Sequence, residues 1–188
     1  MDEVSDDELM ARIAAGDRPA FDALVDRHLP RCLRLAERVV GSRAEAEEVA
    51  QEFFLRVWTG AGRWRQNADG GARFTTWLYR VVTNLCLDRR RRPGMAPLES
   101  AGDPADPADS ALTALHKSRA AARVASAVAA LPERQRAALV LCFFEGLSDR
   151  AAAEILDLSP GAVESLLVRA RRRLREELGD LREALLEA

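Results

Sequence analysis

The sequence predicts an all-α protein in two small helical domains, an N-terminal helical bundle and a C-terminal helix-turn-helix, joined by a flexible linker. Three observations predict this. Apolar residues follow the three-to-four rhythm of helices in both halves, and no run of β-branched residues alternates with polar ones. Between the halves, Met95 to Ser110 carries Pro97, Pro104 and Pro107 among Ala, Gly and Asp without apolar periodicity. A helix cannot continue through three prolines, so this segment reads as a linker. The expected division is 1–93, an acidic linker over 94–118, and 119–188.

In the first domain, one helical pattern runs from about Asp6 to Ala15 and stops at Gly16. A second begins near Pro19 with Phe21, Leu24 and Val25 on one face, and Pro30 is expected to kink or restart it. A third spans Arg43 to Trp58, and after a Gly-rich interval a fourth begins at Arg73 or Phe74 and reaches the arginines at 89–92. Four helices suffice for a bundle. In the second domain, a helix opens at Pro132 and ends at Gly146, which suits the left-handed position after a helix. Ser148 can cap the next, short helix, which carries Ala152, Ile155 and Leu156. Asp157, Leu158 and Ser159 make a turn, Ser159 caps a long helix to about Leu178, and Pro160 fits its first position. A short helix, a tight turn and a longer basic helix form the helix-turn-helix pattern.

The chain of 188 residues is 48% apolar, enough for one ordinary core or two small ones. No stretch approaches the roughly twenty apolar residues of a membrane span, and the acidic start, Met1 to Glu8, is unlike a secretory signal; a cytoplasmic protein without membrane insertion is expected. Cys32, Cys86 and Cys142 are scattered and form no CxxC pair, so buried reduced thiols are expected. His28 and Cys32 are four apart, but Pro30 intervenes and no second pair is evident; no metal or cofactor is expected. Clustered glutamates such as Glu47, Glu48 and Glu52 lack an accompanying histidine motif or phosphate loop, so no catalytic residues and no enzyme activity are expected. The net charge of −2 conceals segregation: acids crowd the start, the stretch Glu45 to Glu52 and Glu99 to Asp109, whereas arginines cluster at 89–92 and 169–175.

Helical wheels separate faces. From Val163 onward, Leu166, Leu167, Ala170 and Leu174 gather on one side, leaving Glu164, Ser165, Val168, Arg169, Arg171, Arg172 and Arg175 on the other. That mixture suits a helix in the major groove: arginines hold phosphates or guanine edges, Glu164 accepts from cytosine, and Val168 meets a thymine methyl. A solvated arginine-rich helix end, favoured by the helix dipole, is the plainer alternative. The fourth helix turns Phe74, Leu78, Val81, Val82 and Leu85 inward and Arg73, Thr76, Arg80, Asn84, Leu87 and Arg91 outward. With Trp77 at the boundary, this stripe suits unpaired bases, which need stacking surfaces and edge hydrogen bonds, although a helical tryptophan more commonly anchors a core. The third helix buries Ala46, Val49, Ala50, Phe53 and Val57 and leaves Glu48, Gln51, Glu52 and Leu55 outside. Leucine among acids and an amide fits a protein partner, and equally a solvated face with one stray leucine.

These segments resemble a known family. Glu45 to Trp58 (EAEEVAQEFFLRVW) resembles the polymerase-binding helix of the extracytoplasmic-function (ECF) sigma factors, and Phe74 to Asp88 (FTTWLYRVVTNLCLD) resembles their −10 recognition segment. Leu131 to Arg136 (LPERQR), Phe144 to Ser148 (FEGLS) and Ala170 to Arg175 (ARRRLR) resemble their −35-binding domain. Each motif alone is weak, but their order and separation by a linker are specific. The resemblance implies a sigma factor that binds core RNA polymerase and directs promoter-specific initiation, in a stress or envelope response. Glu48, Gln51, Glu52 and Leu55 would dock on the polymerase's largest subunit. Arg73, Trp77, Arg80, Asn84, Asp88 and Arg91 would contact the melted −10 strand, with Asn67 in a loop that captures a flipped base. Ser159, Ala162, Glu164, Ser165, Val168, Arg169, Arg171 and Arg172 would read the −35 duplex, and the linker would thread the polymerase channel. Glu164 departs from the pattern, standing where many relatives carry a basic residue. With no appended regulatory domain evident, control is expected from an anti-sigma protein. A monomer that binds DNA weakly until polymerase holds both domains is expected. A dimeric operator-binding regulator is the competing reading, and an anti-sigma or adaptor protein would explain only the acidic helix.

Overall fold

The computed structural model describes residues 4–64, 74–90 and 111–179, and the regular elements among them are all helical. Asn67, Arg73 and Arg91 lie outside the described residues, as do the rest of 65–73 and of 91–110.

Local chemistry sets the boundaries of the first lobe. α1 (Asp6–Ala14) starts where Ser5 Oγ accepts from the Glu8 N–H, and its first turn carries Asp6, Asp7 and Glu8, where the helix dipole favours acids. Gly16 follows at φ 85°. α2 (Arg18–Val40) is capped by Asp17, whose carboxylate accepts from the Ala20 N–H, and closed by Gly41 at φ 80°. Of the kink or restart expected at Pro30, the restart does not occur: α2 is one helix from Arg18 to Val40 with Pro30 inside it. Pro30 and Asp26 are both exposed, so water can satisfy the Asp26 carbonyl that proline leaves without a donor. α3 (Arg43–Gly60) begins at Ser42, whose Oγ accepts from the Glu45 N–H, and a 3-10 turn (Ala61–Arg63) leads to Trp64. α4 (Phe74–Arg90) completes the lobe.

Leu9, Ile13, Leu24, Leu35, Val49, Phe53, Leu78 and Val82 are buried between these helices. Around Phe53, rings gather edge to face or tilted: Trp77 stands 5.3 Å from Phe53, 5.5 Å from Trp64 and 5.6 Å from Phe74. Such pairs contribute roughly 0.5–1.5 kcal/mol each beyond burial. α1 is tied across this cluster. The Trp64 indole N–H donates to Asp7 at 2.9 Å, Arg27 donates to Asp6 at 2.6 Å, and His28 Nε2 lies 3.0 Å from Asp6 Oδ1 with its ring 4.8 Å from Phe74. Trp64 and Phe74, which flank residues 65–73 in the chain, are thereby fixed against the same core.

The second lobe comprises α5 (Ala111–Ala129), α6 (Glu133–Leu139), a π-helical turn (Val140–Phe144), α7 (Asp149–Leu156) and α8 (Pro160–Glu177). α5 begins inside the stretch read as linker, because its many alanines favour a helix while tracing little apolar periodicity. Arg136, 1% exposed, donates to the Ala129 carbonyl and so joins α6 to the end of α5. The single helix expected from Pro132 to Gly146 instead widens after Leu139: the Glu145 N–H bonds the Val140 carbonyl at 3.1 Å. Gly146, at φ 68°, lets the Leu147 N–H reach back to the Leu141 carbonyl at 3.0 Å. Ser148 Oγ caps α7 through the Ala151 N–H, Asp157 takes φ 53°, and Ser159 Oγ caps α8 through the Ala162 N–H. Helix, turn and helix then close over Ala152, Ile155, Val163, Leu167 and Ala170. The lobes are in contact: α4 packs on α6 and α7, and α2 on α5, α6 and the π-helical turn.

Candidate functional site

Three helix faces carry the residues singled out in the sequence. On α3, Ala46, Val49, Ala50, Phe53 and Val57 are buried, Glu48, Gln51 and Leu55 are exposed, and Glu52 is half-buried beside Arg56 at 2.9 Å. Leu55 is 56% exposed and Trp58 41%, so an apolar pair stands among acids and an amide. The wheel reading missed Trp58. Its spacing from Gln51 and Leu55, at i+7 and i+3, is the signal that would have found it. An edge contact with Phe21 at 5.2 Å holds the indole in place.

On α4, Phe74, Leu78, Val82 and Leu85 are buried as expected, and Val81 is half-buried. Arg80, Asn84 and Asp88 are exposed in one stripe, with Thr76 half-buried above them. Trp77 is partly buried in the ring cluster, an anchor at the edge of the core. Leu87 does not face outward as expected; it is half-buried and packs on the core. Its packing on the core comes from other helices, which the wheel of a single helix does not reveal. Two arginines here already have partners. Arg80 donates to the Glu154 carbonyl at 3.1 Å, and Arg89 pairs with Glu48 of α3.

On α8, Val163, Leu167 and Ala170 are buried, while Glu164, Ser165, Val168, Arg169, Arg171 and Arg172 are exposed, Val168 to 57%. Ser165 Oγ donates to the Gly161 carbonyl at 2.9 Å, and Ser159 Oγ is engaged as the cap. Ala162 is half-buried. Arg171 lies 4.9 Å over the Phe143 ring, which holds its guanidinium close to the protein surface.

The thiols depart in part from expectation. Cys32 and Cys86 are buried, but Cys142 is only half-buried, with Sγ 3.7 Å from Asp149. Burial pushes the Cys32 thiol up to about 12 and the Cys86 thiol higher still; burial, then the Asp149 carboxylate, raises Cys142 to about 11. Among the described residues no group of three His, Cys, Asp or Glu side chains gathers to hold a metal, and no helix is long and apolar enough to cross a membrane.

Comparison with known proteins decides between the readings. Residues 24–94 match the family model of Sigma-70 region 2, and residues 121–174 match that of Sigma-70 region 4. The ECF RNA polymerase sigma factor SigM of Mycobacterium tuberculosis (strain ATCC 25618 / H37Rv) is 39% identical over 182 residues, covering 95% of this chain and 87% of SigM. The chain belongs to the ECF sigma factors. It therefore binds core RNA polymerase and directs promoter-specific initiation, and it is an initiation factor rather than an enzyme. Its fold is that of solved sigma factors. The structure of CnrH in complex with the cytosolic domain of CnrY matches with a TM-score of 0.63 at 30% identity, covering 93% of this chain and 97% of that one. Sigma factor RpoE, in complex with the anti-sigma factor NepR from Bartonella quintana, shares the fold with a TM-score of 0.66 at 21% identity, covering 85% and 96%. In this ECF sigma factor, α7 and α8 as far as Leu174 lie in the region 4 match, and α3 and α4 lie in the region 2 match.

Proposed function

We propose that the three faces divide the work of this sigma factor. Glu48, Gln51, Glu52 and Leu55, joined by Trp58, dock on the polymerase's largest subunit. Thr76, Trp77, Arg80, Asn84 and Asp88 meet the melted −10 strand. Ser159, Ala162, Glu164, Ser165, Val168, Arg169, Arg171 and Arg172 read the −35 duplex from α8. Asn67, Arg73 and Arg91 join the −10 set on the resemblance of their sequence alone. The chain divides functionally at 1–93, 94–118 and 119–188, with the linker threading the polymerase channel.

The observation that carries this reading is the chemistry of the exposed α8 face. Val163, Leu167 and Ala170 are buried, while a carboxylate, a hydroxyl, a small apolar side chain and three arginines face out together from the second helix of a helix-turn-helix. Cations on one helix face follow the phosphates, and the mixed groups between them meet base edges, each good base contact being worth about 1–3 kcal/mol of discrimination. On α3 the exposed Leu55 and Trp58 provide the apolar centre and the surrounding acids the polar rim of a protein interface.

The protein acts in the cytoplasm, as a monomer, in a stress or envelope response under the control of an anti-sigma protein. Support for the last point comes from the sigma factor solved with NepR and from CnrH solved with the cytosolic domain of CnrY. Competition for core polymerase followed by transcription tests the division. Leu55→Arg should lose core binding; Asn84→Ala should bind core normally and change which −10 sequences are opened. Equal core binding by Leu55→Arg and the natural chain would remove α3 from the interface.

A further inference from the structure

Two adjacent carboxylates at the start of α1 reach the aromatic cluster on which Trp77 rests, and none of the three faces accounts for them. Asp7 accepts a hydrogen bond from the Trp64 indole N–H at 2.9 Å, across 57 positions of the chain. Asp6 is held by Arg27 at 2.6 Å and lies 3.0 Å from Nε2 of His28, whose buried ring stands 4.8 Å from Phe74. One carboxylate therefore bears on Trp64 directly, and the other on Phe74 through a histidine.

Acids in the first turn of a helix are sufficiently explained by the dipole, and Ser5 already caps this one. Here the turn is also fixed in rotation, because Leu9, Met10 and Ile13 are buried in the bundle. Asp6 and Asp7 are thus presented to the cluster at set positions.

The rings they hold form the seat of Trp77. Trp64 meets Trp77 edge to face at 5.5 Å with the planes 68° apart, Phe74 meets it at 5.6 Å, and Phe53 completes the seat at 5.3 Å. Trp64 and Phe74 also meet each other at 5.9 Å. Such contacts depend on ring angle as well as distance, since the positive edge of one ring must meet the negative face of another. An indole packed by apolar neighbours alone can turn in its plane, whereas one whose N–H is bound to a carboxylate cannot. Trp77 is only half-buried, so this seat fixes the surface it presents beside Thr76 and Arg80.

We propose that Asp7 is a positioning residue for the −10 strand: through Trp64 it fixes the seat of Trp77, and with it the surface that α4 offers to unpaired bases, while Asp6 braces Phe74 through His28. The proposal rests on the assignment of Trp77 and the α4 stripe to the −10 strand. A stacking surface binds a base only when ring and base lie face to face, so its orientation carries directly into affinity.

The test uses the full chain assembled with core polymerase at concentrations that saturate every variant. A single strand bearing the −10 sequence of a promoter this chain transcribes, with 2-aminopurine at one −10 position, reads affinity and stacking together, because stacking quenches the analogue. A duplex carrying the −35 element reads α8. Asp7→Ala should weaken strand binding about ten-fold, the scale of one hydrogen bond to a charged group, and lessen the quenching, with core and −35 binding unchanged. Asp7→Asn keeps an oxygen that accepts from the indole and should restore most of both readings, a rescue that an effect of charge would not give. Trp64→Phe has no N–H, so adding Asp7→Ala to it should have no further effect. Unchanged strand binding in Asp7→Ala would overturn the proposal. So would equal losses in core and −35 binding, absence of rescue by Asp7→Asn, or full additivity with Trp64→Phe. Trp77→Ala separates the two readings: if it leaves strand binding and quenching intact, the −10 assignment fails, and if it weakens both while Asp7→Ala does not, only the positioning role fails. Should Asp7→Ala not fold, Trp64→Phe, which keeps a ring in the cluster, takes its place with the same expected loss, and unchanged strand binding there overturns the proposal equally.

Discussion

Val168 and Arg169 are neighbours on the exposed face of α8, yet their loss should have different consequences. Removing methyl groups from Val168 should relax preference at one −35 position. If Arg169 holds a phosphate, Arg169→Ala should weaken binding on every promoter and reduce the slope of log affinity against log salt by about 1. Glu164 poses the sharper question, because a carboxylate near DNA either accepts from a cytosine or repels phosphate. Glu164→Lys should change the preferred −35 sequence, measured by selection from a randomised pool; unchanged preference would remove Glu164 from the readout. The thiols make a separate prediction. With Cys32 and Cys86 buried and all three thiols raised, alkylation at pH 8 followed by mass spectrometry should label Cys142 first and the other two only on unfolding. Equal labelling of Cys86 and Cys142 in the native chain would contradict this burial.

At the scale of elements, capping governs the helix-turn-helix. Ser148→Ala removes the acceptor for the Ala151 N–H and should destabilise the chain by about 1 kcal/mol in urea unfolding, with the α8 face intact. The same chemistry explains what the sequence discloses. Ser148, Ser159, Pro160 and Gly146 are local signals, so α7, α8 and the turn between them can be placed from the residues alone. The buried sides of α3 and α8 follow as directly, since Phe53 and Val163 fall on apolar stripes wide enough to read. That α2 continues through Pro30 rather than restarting depends on solvent at Asp26, a tertiary matter. α5 is obscured by alanine, and the widening at Val140 leaves no mark in apolar spacing. The partners of Arg80 and Glu145 belong to the other lobe, beyond the reach of any single-helix pattern.

At the scale of the whole molecule, the contact between lobes should depend on alkaline pH. Burial first, then the Glu145 charge and its hydrogen bond, push the Tyr79 hydroxyl from its ordinary 10.0 up to about 12, against the opposing pull of Arg31. Arg38 lies 3.6 Å from the same Glu145 carboxylate. Between those values the folded chain retains a proton that the unfolded chain releases, so Tyr79's contribution is complete below pH 10 and lost as pH rises towards 12. Urea midpoints should therefore fall from pH 9.5 to 11.5, and fall less in Tyr79→Phe; equal slopes would contradict a protonated Tyr79 donating to Glu145 at 3.0 Å. Promoter recognition by this chain uses two DNA-reading faces working at a distance under polymerase control. Its most direct test is transcription in vitro with core polymerase on a pool of genomic promoter fragments, with starts mapped by sequencing for the natural chain, Asn84→Ala and Glu164→Lys. The expected result is a set of discrete starts sharing two spaced motifs, with Asn84→Ala disturbing only the downstream motif and Glu164→Lys only the upstream one. Discrete starts with a single motif, or with both motifs altered by either substitution, would contradict the division of labour between α4 and α8.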